Sequence, residues 1–528
     1  MQTVSRRQAV KLIGVGAAGA MFAACAPLAP TALPATSGAP SQAGVAPKTG
    51  GTLRLAIVGD LSSLDGHFST PTGNSTIWQV YDTLISYDDK LQPQPELAES
   101  WDLSSDARQV KLNLRKGVQF HSGREFTSED VKYNLLRLRD PKNVATTGKI
   151  APQGAWWTSV DTPDKYTVVL GSDVPRPGVF DFLLFFNMLD RDTMEGPDAK
   201  TRAVGTGPFA FVEYVQGDHL RLSRNKNYWR SGRPYLESVE VTMLRDPQAM
   251  VAQLEAGALD VADAPPVRDT ARLKQDPKYA VALNYNRGLF YYLVANTTFK
   301  PLDNKQVRQA LNYAIDRKRF TDTVLLGLAS PPQDLPWTEQ SPAFDAQKNV
   351  TYTFDLDRAK SLLASAGVTN LELSLTYTLS NESASLAQIY QSDLARIDVK
   401  ANLVQVENAV LNDMVAKLSF KGLIFSFGSQ SHLQEAATSI SGMRSFNFEN
   451  NSAGFKDPRY GELINSAATE PDAAKRKQIY GQLNDYLLDQ SFTMPLSLYP
   501  STGLTTAKVH GLALDMLPRY TLRDTWLE

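Results

Sequence analysis

One cysteine in 528 residues, Cys25, leaves no partner for an intramolecular disulfide. Five histidines (His67, His121, His219, His432 and His510) share no metal-ligand spacing and no HExxH pair, so a zinc enzyme has no support. No metal site and no cofactor are expected. The GxSxG elbow and the Walker loop are both missing. Gly205-Thr206-Gly207 runs into Pro208, whose missing N–H suits a turn better than a phosphate cradle. Carboxylates are abundant, but no pair stands out by spacing, so no glycosidase site can be located. There is no excess of positive charge, with 54 Lys+Arg against 56 Asp+Glu and a net charge of −2. That argues against a nucleic-acid partner and a polybasic membrane patch. No apolar run beyond the N-terminus is long enough to span a bilayer.

What is present begins at the N-terminus. Arg6, Arg7 and Lys11 precede a short apolar stretch, Leu12 to Ala20, and Phe22-Ala23-Ala24 leads to Cys25. A charged start, an apolar core and small residues before a cleavage point make a secretory signal, here residues 1–24. Losing it removes three cations and no acid, which takes the net charge from −2 to −5. The arginine pair resembles a twin-arginine export signal. Cys25 after two alanines resembles a bacterial lipobox, with Phe22 where Leu is usual. The implied localisation is extracytoplasmic, at the cell surface or in a periplasm, with lipid on Cys25. Gly14-Val15-Gly16-Ala17-Ala18-Gly19 spells GxGxxG, but it has neither the preceding strand nor the later acid of a dinucleotide site. Residues 25–49 are nearly all Ala, Pro, Thr, Ser and Gly and read as a flexible tether.

From Gly51 the pattern changes. Alternation predicts strands at Leu53–Ile57, Val110–Arg115, Tyr166–Leu170, Val239–Met243 and Leu371–Tyr377. Thr127 to Asp130 has capping-box spacing, and Val131, Leu135 and Leu138 follow on one helical face. Asp303 is expected to cap a helix carrying Val307, Ala310, Leu311 and Ala314. Asp355 is expected to cap one carrying Ala359, Leu362, Leu363 and Ala366, stopped by Gly367. Strands and helices mixed over about 500 residues predict an α/β protein of two or three domains.

Four blocks carry a resemblance. They are Gly50-Gly51-Thr52-Leu53-Arg54 with Ser63-Leu64-Asp65-Gly66-His67, then Pro95-Glu96-Leu97-Ala98-Glu99-Ser100-Trp101. Leu114-Arg115-Lys116-Gly117-Val118-Gln119-Phe120-His121-Ser122-Gly123 runs on toward Phe126 to Val131. Gly205-Thr206-Gly207-Pro208-Phe209 is followed by Arg224-Asn225 and Tyr228-Trp229, and the last block is Val307 to Arg317. In this order they resemble the extracytoplasmic solute-binding proteins of ABC importers, in the peptide/nickel group called family five. Most of these motif residues read as turn and packing residues.

The resemblance implies a large type II periplasmic-binding-protein-like fold, with two lobes that close on a ligand about a hinge. Carried over, lobe I is residues 50–82, 201–285 and 493–528, with a subdomain at 83–200, and lobe II is 286–492. The hinge falls near Tyr285–Asn296 and Thr493–Tyr499. It further implies a non-enzymatic receptor, a monomer, that delivers a small solute to permease and ATPase subunits.

Peptide binders of this family hold the ligand's amine with an Asp in a Gly-Trp-Xaa-Xaa-Asp-Tyr segment. The matching stretch here is Ile424 to His432, with Phe427 in place of Trp and Gln430 in place of Asp. A buried ammonium needs a carboxylate, so Glu435 is the nearby substitute. Without it, a neutral ligand such as an oligosaccharide gains ground over an oligopeptide. Further candidate contacts are Thr70, Thr72, Arg287, Tyr291, Asn296 and Phe425. Arg444 could meet a carboxylate or lie solvated on the surface. Trp156 could stack on a ligand or fill core. Nickel chelates lack a histidine cluster. A secreted hydrolase sharing only the two-lobed shape is the alternative from another class, and it needs two carboxyls ~5–10 Å apart across the cleft. The same binding fold could also serve signalling or chaperoning.

Overall fold

Strand β1 (Thr52–Val58) shows how the sequence builds the centre of the molecule. In this computed structural model, which describes residues 46–68, 76–144, 150–431, 433–515 and 520–528, Leu53, Leu55 and Ile57 face one core. Ala56 and Val58 face another, so both faces of the strand are covered. Arg6, Arg7, Cys25, Thr70 and Thr72 lie outside the described residues.

Beyond β1 come β2 (Ile85–Tyr87), β3 (Ala98–Leu103), β4 (Gln109–Leu114), α1 (Ser128–Arg139), β5 (Ser159–Asp164), β6 (Thr167–Gly171) and α2 (Val179–Phe185). Strands β3 to β6 form a four-stranded sheet in the order β3-β4-β6-β5. Helix α1 starts at the expected capping box, with Thr127 and Asp130 bonded reciprocally and Val131, Leu135 and Leu138 buried.

The chain returns to the main sheet with β7 (Phe209–Val215), β8 (His219–Arg224) and β9 (Ser238–Leu244), then α3 (Pro247–Glu255) and β10 (Val261–Asp263). Met250 and Leu254 of α3 cover the second face of β1. Next follow β11 (Tyr279–Ala295), α4 (Lys305–Tyr313), α5 (Leu356–Ser365), β12 (Glu372–Thr378), α6 (Asn381–Ala395) and β13 (Lys400–Val406). The last elements used below are β14 (Gly422–Ser431), α7 (Ala436–Gly442), α8 (Ala473–Gln490) and β15 (Thr493–Thr506). All five expected strands are present within one residue at each end. Asp355 caps α5 as expected, its side chain accepting from the Arg358 N–H, and Gly367 closes the following turn at φ +69°. The cap of α4 is Asn304 rather than Asp303: the Asn304 carboxamide accepts from the Gln306 N–H, while the Asp303 carbonyl accepts from Arg308.

The main sheet has ten strands in the order β13-β12-β14-β11-β15-β10-β1-β9-β8-β7. The long strands β11 and β15 link its two sides, because β11 pairs with β14 and β15, and β15 pairs on with β10. One core gathers mainly residues of the first part of the chain, including Leu53, Trp78, Leu112, Trp157, Phe182 and Val241, with Leu433 and residues near the C-terminus such as Val509 and Leu522. The other is built from residues 267–499, including Phe290, Leu311, Trp337, Leu375 and Leu483. We call the two sides the first and second halves. The β11–β15 register slips between Asn284 and Gly288, opposite Ser501 and Pro500, and again at Tyr291–Tyr292, beside Pro495. Proline has no N–H to give a ladder, so both prolines fall where the ladder is already broken.

Candidate functional site

The sequence blocks converge, far from one another in the chain, to build scaffold. Gly205 and Gly207 lie against Val80 and Tyr81 so closely that a Cβ on Gly207 would meet the Gln79 carbonyl at 2.5 Å. The His121 ring pairs with the Gly207 carbonyl, and Asn225 donates to the same oxygen. The Asp82 carboxylate accepts from Thr206, Tyr228 and Trp229. The His67 block ends in a buried clamp. His67 accepts from Arg137 at Nδ1 (2.9 Å) and donates from Nε2 to the Asn187 carbonyl (2.9 Å). Arg137 pairs with Asp65 at 2.5 Å. Burial pushes the His67 imidazole down to about 4, with the Arg137 charge helping and Asp65 opposing, so it is neutral at pH 7.

Strands β11 and β14 bring together the aromatic candidates. Tyr291 lies opposite Phe427 in the ladder, and its ring is parallel to that of Phe425 at 5.9 Å between centroids. Phe427 tilts against Tyr291 at 5.8 Å, and Phe320 meets it edge-on at 5.5 Å. Tyr291 and Phe425 are buried and belong to the second core, while Phe427 is half-buried at its rim. In the same ladder Arg287 pairs with Ser431, and Gln430 with Gly288. These pairings fall where β11 leaves its register with β15.

The other candidates are elsewhere. Asn296 is buried at the far end of β11, its carboxamide donating to the Leu418 and Phe420 carbonyls and accepting from Thr298. That is a chain-fastening role. Arg444 is exposed beyond the end of α7. Trp156 is half-buried against the first core, with the Arg176 guanidinium 5.0 Å over its ring.

Two features escaped the sequence reading. Glu382, half-buried in the first turn of α6, lies near enough for its charge to act on the Tyr291 and Tyr499 phenols. Burial raises both phenols, Tyr499 to about 12, and the Glu382 charge adds to each. Among the described residues no cation pairs with Glu382. A lone Glu inside a Ser/Asn-rich helix start carries no signal in sequence.

The second feature joins the halves. Asp181 of α2 accepts from the Tyr87 hydroxyl (2.7 Å) and from the backbone N–H groups of Gln434 (2.9 Å) and Glu435 (3.1 Å). Glu435, the expected amine partner, is already engaged: its carboxylate accepts from Arg476 (3.0 Å) and Tyr480 (2.8 Å) of α8. A cavity of about 460 Å³ on the second half, lined by Thr297, Lys305, Arg308 and Lys456 among others, includes none of these groups in its lining. Its Arg308 is consumed by the carbonyls of Leu302, Asp303 and Gln490. Among the described residues no group of His, Cys, Asp and Glu could hold a metal ion.

Residues 92–441 match the family described as bacterial extracellular solute-binding proteins, family 5. The chain is 29% identical to heme-binding protein A of Haemophilus influenzae over 458 residues, covering 80% of this chain and 82% of that protein. It is 26% identical to di/tripeptide-binding protein 2 of Pseudomonas aeruginosa over 434 residues, covering 76% and 80%. The solved periplasmic binding protein AgaA of A. tumefaciens R10, in complex with agropinic acid, superposes with a TM-score of 0.75 at 26% identity, covering 90% of this chain and 99% of that one. The fold is the large type II fold of periplasmic binding proteins.

Proposed function

Because the chain belongs to the bacterial extracellular solute-binding proteins of family 5, we propose that it is the receptor subunit of an ABC importer. It captures a small solute, foremost an oligopeptide, between two closing lobes and hands it to a membrane permease. The family match over residues 92–441 carries this reading. The relative named for di- and tripeptides supports the ligand class. The receptor performs no chemistry on its ligand. It is exported by the Arg6-Arg7 signal and held by lipid on Cys25 through the 25–49 tether, as a monomer.

In this reading residues 50–82, 201–285 and 493–528 with 83–200 form one lobe and 286–492 the other. The slip in register at Asn284–Gly288 opposite Pro500–Ser501 supports a hinge there, since a broken ladder bends most easily. Phe427 offers the ligand an aromatic face, and Arg287 and Gln430 stand in the adjoining stretch of ladder. Glu382, with no cation partner among the described residues, supplies the carboxylate that the Gln430 position lacks, so the ligand's ammonium is placed beside it.

Thermal melting tests this. A panel of di- to pentapeptides, free and N-acetylated, should contain compounds that raise the melting temperature, since a ligand at 100 times its Kd adds about 2.7 kcal/mol. Glu382→Gln should weaken free-amine peptides about tenfold while leaving acetylated ones unchanged, the scale of one lost charge-assisted contact. A panel of peptides and oligosaccharides in which nothing shifts the melt would sink the receptor reading. Equal loss for both peptide forms would sink the role of Glu382.

A further inference from the structure

The contact between Asp181 and the 433–435 segment has the form of a clip. Leu433 is a second-half residue by sequence, yet its side chain is buried in the first core. Directly after it, the Gln434 and Glu435 amides point their N–H groups at the two oxygens of Asp181, which is fully buried. Gly178, at the start of the Asp181 helix, packs so tightly on α7 that a Cβ there would lie 2.7 Å from the Thr438 hydroxyl and 3.6 Å from Glu435 Cβ. The segment follows β14 directly, the strand that carries Phe427 and Gln430. Whatever holds Gln434 and Glu435 therefore sets where the end of that strand lies relative to the first half.

We propose that Asp181 is a positioning residue for solute capture, clipping the end of β14 to the first half, and that closing the two halves is coupled to proton uptake from solvent at this site. The inference rests on the reading above in that it needs halves that part and close.

The groups around the carboxyl explain the proton. Tyr87 faces Asp181 from β2 and donates to it. Glu435 faces it from the start of α7, with Arg476 and Tyr480 of α8 behind, both bonded to the Glu435 carboxylate. Burial raises the Asp181 carboxyl and the Glu435 charge adds to this, while Tyr87 and the two N–H groups pull the other way, leaving it at about 7. Burial raises Glu435 as well, against Arg476 and Tyr480. When the halves part, water reaches the clip and Asp181 returns toward its ordinary 3.8. Between these two values the closed form thus binds a proton that the parted form releases. By linkage, closure is favoured as pH falls through 7 and disfavoured as it rises. A closed-state value of about 7 against 3.8 makes closure roughly tenfold more favourable at pH 6 than at pH 8.

Amide hydrogen exchange of the ligand-free full chain reads this out, because the Gln434 and Glu435 amides exchange when the clip opens. Corrected for intrinsic exchange, their protection should rise about tenfold from pH 8 to pH 6. The amides of Leu423 to Phe425, inside the sheet, should show no such slope. Asp181→Asn should flatten the slope, and Glu435→Gln, which removes the like charge, should move its midpoint to lower pH. A merely structural Asp181 would change the level of protection, not its pH dependence. Protection that does not vary with pH in the wild type overturns the proposal. So does a slope that persists unchanged in Asp181→Asn or, should that variant fail to fold, a midpoint unmoved in Glu435→Gln. Either result leaves the receptor reading intact, since that reading depends on ligand-induced thermal shifts alone.

Discussion

At the scale of single residues, the chain handles buried charge by saturating it. Arg317 is buried and donates to the Pro495 carbonyl at 2.8 Å, to Asn312 and to Tyr352, with Asp334 at 3.1 Å as counter-charge. Arg308 is saturated in the same way. Both lie in the Val307–Arg317 block, whose role is therefore to tie α4 and its neighbours to β15 and the end of α8. His67 is handled differently, by being kept neutral. Its folded-state value of about 4 lies below the ordinary 6.5, so the unfolded chain binds the proton more readily and stability is lost as pH falls from 6.5 toward 4. Between pH 7.5 and 5 this residue alone should cost about 2 kcal/mol of unfolding free energy. His67→Gln keeps a donor and an acceptor without the titration. Urea melts at the two pH values should show it losing about 2 kcal/mol less than the wild type. Equal acid sensitivity in the two proteins would mean that His67 does not titrate as inferred.

At the scale of elements, local chemistry was legible and pairing was not. The capping box at Thr127 and the cap at Asp355 are written in adjacent residues and formed where expected. Asp355→Ala should lower stability by about 1 kcal/mol, the usual worth of an N-cap, and Asp355→Asn much less. Chemical denaturation of both variants measures this, and equal losses would assign the effect to something other than the cap. The expected cap falls one residue before the observed one because Asp and Asn are both good caps by residue type, and Asp303 and Asn304 stand side by side. The 17-residue β11 and 14-residue β15 were not read as strands at all. Pro495, Pro500 and Gly503 in β15, and Arg287-Gly288 in β11, argue locally against strand. The irregularities that admit the prolines arise only when β11 and β15 pair with each other.

At the scale of the whole molecule, the proposed anchor on Cys25 can be separated from ligand binding. The Cys25→Ser variant of the full chain should leave the membrane fraction, by fractionation and immunoblot, yet retain the peptide-induced thermal shift. Loss of both would show that Cys25 does more than carry an anchor. The candidate site belongs to this scale too. Phe425 and Phe427 were nameable from sequence because they lie in the stretch that matches the family's anchor motif, and Tyr291 because it lies on the segment next to the expected hinge. Asn296 lies on one of the same segments but turns out to fasten the 418–420 turn. Glu435 was nameable as a carboxylate near the vacant Asp position, but its engagement with Arg476, 41 residues later, was invisible. Asp181, 254 residues before Glu435, could not be connected to it.

The sequence by itself determined the class of this protein: α/β, without an intramolecular disulfide, with strands and caps set by alternation and by side chains a few residues apart. Those signals are local, so they survive without knowledge of the fold. Only the tertiary structure decided which carboxylates are engaged, which prolines a central strand can admit and where the two halves hold each other. Those depend on burial and on partners hundreds of residues apart, and neither desolvation nor long-range pairing is written at any single position in the chain.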